Sequence, residues 1–200
     1  MKSSFVILSI AALLAGPALA GGSETDHGSH VSPYAGEEAR TIKSLSAADV
    51  DDLLNGRGWG LAKAAELNGM PGPAHILEMR EDIALTPEQA ERIETIRQAM
   101  QAEAIRVGAR LVDLERDLDT AFASGDVDAK TLRAMVAEIE AVRGELRYVH
   151  LAAHLETPEI LTQHQVATYN RLRGYGVGDP CANPPAGHDA EMWRKHNDCE

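Results

Sequence analysis

LTPEQAERIETIRQAMQAEAIRVGARLVDLERDLDTAFASGD, residues 85–126, decides the fold. Thr86 is a good helix cap, and Pro87 suits the first helical position, where its missing N–H costs nothing. Gln89 can reach back to the Thr86 amide and complete a capping box, with Leu85 placed as a hydrophobic staple. Apolar residues then recur at Ile93, Ile96, Met100, Ala104, Val107, Leu111, Leu114, Leu118 and Ala121. Every step is three or four residues, so they form one stripe on a single long helix that Ser124-Gly125-Asp126 ends.

Working outward, a second stripe, Leu132, Met135, Ile139, Val142, Leu146, Val149 and Ala153, predicts a helix over 129–156. The connection is short, so the two helices form an antiparallel hairpin. Thr157-Pro158-Glu159 ends or kinks the second helix. A third runs through Leu161-Thr162-Gln163-His164-Gln165 to about Leu172. Thr157-Pro158 is expected to begin it, leaving Thr162 a smaller capping share than Thr86. Upstream, Ser46 and Asp49 mark a helix start, Asn55-Gly56 its end, and short helices follow at 61–67 and 74–83. A last short helix covers 190–196. Aromatic residues are only 4% of the chain, which also points away from β-sandwiches and barrels. The fold class is all-α.

The ends read differently. Lys2, an apolar run over 5–15 and Ala18-Leu19-Ala20 make residues 1–20 a signal peptide, so the expected destination is the periplasm. Residues 21–44, polar and without periodicity, read as a flexible leader, 45–176 as the helical domain and 177–200 as a tail. No later stretch is apolar enough to span a bilayer. In an oxidising compartment Cys181 and Cys199 most simply form a disulfide, with a metal site shared with His188 and His196 as the alternative.

The formal net charge is −12, which argues against a general nucleic-acid binder. No nucleophile elbow, zinc-protease motif, P-loop or dinucleotide fingerprint occurs, so no enzyme is expected. His150 and His154 stand four apart on the second long helix, the spacing at which two imidazoles share one ion. Two ligands do not complete a tight site, and hydrogen bonding between packed helices is the default for such a pair. His75 and Met79 share the spacing; a thioether suits a soft ion, but a Met so placed is more often core. The arginines of the long helices, Arg92, Arg97, Arg106, Arg110, Arg116, Arg133, Arg143 and Arg147, could furnish a docking surface or a solvated face.

The paired Leu85-Thr86-x-x-Gln89 and Leu161-Thr162-x-x-Gln165 motifs resemble the Spy/CpxP superfamily, whose relatives include CnrX- and ZraP-like metal-responsive periplasmic proteins. The likeness covers about residues 74–175. The second motif departs from the usual LTPEQ in lacking its proline. The resemblance implies a cradle-like dimer of long bent helices. It also implies an ATP-independent chaperone or adaptor in the envelope stress response. Such a protein binds misfolded envelope proteins or the periplasmic domain of a membrane sensor, and requires no cofactor. The alternative it implies is a heavy-metal sensor or resistance protein binding a divalent ion (zinc, nickel, cobalt or copper). The broad amphipathic surface puts the chaperone or adaptor role first.

Overall fold

Thr86 and Thr162 both open helices through complete capping boxes, and the two boxes are joined to each other. The computed structural model describes residues 31–175 and 190–196. The signal peptide, residues 21–30 of the leader and the pairing of Cys181 with Cys199 lie outside the described residues. The chain divides after Ala35. In the first part, Ala35 N–H donates to Ser32 O at 3.1 Å, closing a turn. All that follows lies in Gly36–Glu200.

Among the described residues seven α-helices follow in order: α1 Ala47–Leu54, α2 Lys63–Glu66, α3 Pro73–Glu78, α4 Pro87–Ser124, α5 Ala129–Glu156, α6 Gln163–Leu172 and α7 Ala190–His196. Among the described residues there is no strand, and no helix is long and apolar enough to cross a membrane. The fold class expected from the sequence is the one observed.

α4 and α5 form the hairpin. Ala104, Val107 and Leu111 of α4 meet Ile139, Val142 and Leu146 of α5, all fully buried or nearly so. At about 25 cal/mol per Å² of apolar area, each large aliphatic side chain here contributes about 1.5–3 kcal/mol. α1 lies against the outer side of α4, with Leu53 in the same core. The close crossing needs Gly108: a Cβ there would stand 2.3 Å from Leu53 O.

The end of the expected leader is packed rather than free. Ile42 and Leu45 are buried in the hairpin core and bridge each other. Ser44 Oγ donates to buried Glu115 at 2.8 Å, and Lys43 Nζ to Asp119 at 3.0 Å. Two apolar side chains and two carboxylate partners are enough to dock a segment that shows no periodicity.

Thr157–Ile160 is a separate 3₁₀ turn, and α6 begins only at Gln163. Thr162 accepts the Gln165 N–H at 3.2 Å, as Thr86 accepts that of Gln89 at 3.2 Å. Thr162 therefore carries a full cap, contrary to the smaller share expected of it. The two glutamines also clasp each other. Each Nε2 donates to the other's Oε1 at 2.9 Å. Gln89 Nε2 reaches Ile160 O at 2.9 Å, and Gln165 Nε2 reaches Ala84 O at 3.3 Å. Each Oε1 in turn accepts its own threonine's backbone N–H. Beside the clasp a second core gathers Ile76, Ile83, Ile93 and Tyr169.

Candidate histidine-lined cavity

Between the short helices and the hairpin lies a cavity of about 610 Å³. Trp59 from the turn after α1, Glu66 from α2, His75 from α3, Met100 from α4, and His150 and His154 from α5 all face it. Trp59 is held by its indole N–H, which donates to Asp49 at 2.8 Å, and by the Arg143 guanidinium 5.3 Å from its ring centre.

His150 and His154 fall on the inner side of α5 because the stripe drifts as the helix passes Leu146. His150 is 3% exposed, and its Nε2 has no hydrogen-bond partner among the described residues. Burial, with His154 beside it, holds its pKa below the ordinary value, so the ring is neutral at pH 7. His154 Nδ1 lies 2.8 Å from Met70 O. A carbonyl only accepts, so this nitrogen carries a proton, and Nε2 lies on the other side of the ring. Gly72 makes room for that nitrogen, since a Cβ there would come within 2.4 Å of it.

Glu66 is a site residue that sequence reasoning missed. Its Oε1 accepts from Tyr169 Oη at 2.5 Å, Tyr175 Oη at 2.9 Å and Arg173 Nη2 at 3.1 Å. Its Oε2 faces His154 Nδ1 at 3.9 Å. Burial pushes its pKa up, but the two phenols, then His75 and Arg173, outweigh burial and hold it below the ordinary value. The carboxylate is therefore charged. The Tyr169 phenol is pushed well above its usual range by burial and by Glu66.

The expected pairs fare differently. His150, His154 and His75 reach one cavity. Met79 does not line it. α3 stops at Glu78, so Met79 is a non-helical cap and the four-residue spacing no longer aligns it with His75. It packs instead against the second core. His75 Nδ1 sits 3.0 Å from Glu78 at the rim. Among the described residues, no three His, Cys, Asp or Glu side chains converge closely enough to hold an ion. Of the arginines, Arg97, Arg106, Arg110, Arg116 and Arg143 are tied to acids on their own or the facing helix.

The fold and the cavity together define an all-helical hairpin protein with an imidazole-lined pocket beside its second long helix. Residues 53–167, more than half of the chain, match the family described as heavy-metal resistance, and the chain belongs to that family. This is a family of the Spy/CpxP, CnrX and ZraP-like helical proteins, in keeping with the resemblance carried by the two motifs. No curated protein and no solved structure gives a significant match.

Proposed function

We propose that this is a periplasmic heavy-metal resistance protein that binds a divalent transition-metal ion in the histidine-lined cavity. The observation that carries the proposal is the buried His150 Nε2, without a hydrogen-bond partner among the described residues, in the same cavity as the His154 ring. Leaving a buried polar atom unpaired costs about 1–3 kcal/mol, and an ion would remove that cost. Imidazole nitrogen suits zinc, nickel, cobalt and copper. His150 and His154 would hold the ion; among the described residues no third His, Cys, Asp or Glu side chain converges on them. The protein acts by binding, without catalysing a reaction, and pairs as a homodimer.

Titration calorimetry of the purified chain with each of the four ions tests this. Binding in the micromolar range or tighter is expected, lost when His150→Ala and His154→Ala are combined. Equal affinity in the double variant would overturn the assignment.

The chaperone or adaptor role is the second reading. It is supported by large apolar side chains exposed on the long helices: Ile105 and Phe122 on α4, Val136, Tyr148 and Leu155 on α5. Suppression of client aggregation without ATP, surviving both metal removal and the double substitution, would make it the first.

A further inference from the structure

We infer that the cavity is also a binding site for an organic monocarboxylate with an apolar body, seated against Trp59 and Met100 and paired with Lys63. Neither imidazole takes part, so this site is independent of the metal reading. A single ion would occupy a small part of about 610 Å³, whereas about 300–1,000 Å³ is the size that encloses a small organic molecule. The walls supply the apolar part of such a site. Trp59 and Leu67 face the cavity from either side of α2, Pro73 from α3 and Met100 from α4. Leu67 is 64% exposed, so apolar surface is left open at the cavity.

Trp59 is held in place against its own backbone preference. Its φ is +43°, a region that bulky residues rarely adopt. The indole bond to Asp49 and the Arg143 guanidinium over the ring fix the side chain there. The ring is only half-buried, so core packing alone does not require that strain. Backbone strain maintained by side-chain contacts at a pocket wall is the pattern of a preorganised ligand contact, whose ordering is complete before the ligand arrives.

The charges select an anion. Arg57, Lys63, Arg97 and Arg173 line the cavity against two carboxylates, Glu66 and Glu78, in a chain whose formal net charge is −12. The arginines are already matched: Arg57 by Asp51 and Asp52, Arg97 by Glu94, and Arg173 by Glu66. Lys63 is exposed and pairs with no carboxylate among the described residues. Its side chain folds back over the loop that carries Trp59: Cε stands 3.5 Å and Nζ 3.9 Å from the place a Cβ on Gly60 would take. A carboxylate at the opening pairs with this ammonium while the apolar body reaches inward along Trp59 to Met100. A second negative charge on the ligand would meet Glu66 and Glu78, so a monoanion fits.

Trp59 reports occupancy directly. The chain has two tryptophans, so Trp193→Phe leaves Trp59 as the single indole. In this background, with a chelator present, decanoate and phenylbutyrate are titrated in turn, an aliphatic and an aromatic body carrying the same charge, with uncharged phenylbutyramide as the control. At least one acid should shift the Trp59 emission saturably, with one molecule bound per chain and millimolar affinity or better; the tighter of the two gives the nature of the body. Phenylbutyrate should bind severalfold more tightly than its amide. Lys63→Gln, an exposed substitution, should abolish that preference and Lys63→Arg should restore it. Leu67→Glu, also exposed, should weaken both acids by placing a like charge at the opening. No saturable shift with either acid, or binding indifferent to Lys63→Gln and Leu67→Glu, would overturn the site. Zinc binding should be unchanged in Lys63→Gln, so the carboxylate site and the metal site fail separately.

Discussion

Gln165→Ala tests whether the two LTxxQ motifs work as one device. The substitution removes two amide–amide bonds with Gln89, the bond to Ala84 O and the acceptor for the Thr162 N–H. A net 0.5–1.5 kcal/mol for each, reduced where water reaches the part-buried amide, gives a loss of about 2–3 kcal/mol. Gln89→Ala loses the mirror set and should cost about 2 kcal/mol. The double variant should cost less than the two together by about 1–2 kcal/mol, because the mutual bonds are lost only once. Urea denaturation of the four proteins measures this, provided m stays constant. Losses that add to within about 0.3 kcal/mol would refute the clasp and reduce each motif to an independent helix cap. As a control on the caps alone, Thr86→Ala and Thr162→Ala should each cost about 1 kcal/mol, because both boxes are complete.

Two further outcomes follow from other contacts. Gly108→Ala should destabilise by about 2 kcal/mol despite the better helix propensity of alanine, because its Cβ meets the Leu53 carbonyl and α1 must shift; a raised Tm in thermal denaturation would contradict the close crossing. The Asp49 carboxyl is held below its ordinary 3.8 by bonds from Ser46, then Trp59. Its contribution to stability is complete above pH 3.8 and is lost as the pH falls through the folded-state value, so Asp49→Asn should flatten the acid limb of a stability–pH curve. An unchanged acid limb would show that the Ser46 and Trp59 bonds do not favour the charged form.

The hairpin was legible because its signal is local. Nine apolar positions at steps of three and four specify α4, and Thr86 with Gln89 specifies its start. Gly125, at φ +74°, ends it where the sequence places a breaker. The pairing of Gln89 with Gln165, 76 residues apart, was not legible, since each glutamine already had a sufficient role in its own box. The cavity was half legible: four-residue spacing picked out His150 and His154, and the family match covers both. Glu66 was invisible because its partners stand 103 and 109 residues away and nothing near it is periodic. Met79 misled because spacing is informative only while the helix lasts, and α3 ends one residue too soon.

The clasp also acts as a length gauge on the chain. α4 has 38 residues and α5 has 28, so at 1.5 Å per residue they run about 57 and 42 Å. α5 thus returns about 15 Å short of where α4 began. The four-residue 3₁₀ turn and the two extended residues before α6 can span about that distance. Adding one residue to α5 alone would rotate everything after it by about 100° and carry Gln165 away from Gln89. Length can change only in matched pieces, one in each arm near Gly125, so the hairpin can grow or shrink at its tip while the spacing from Gln89 to the base stays fixed.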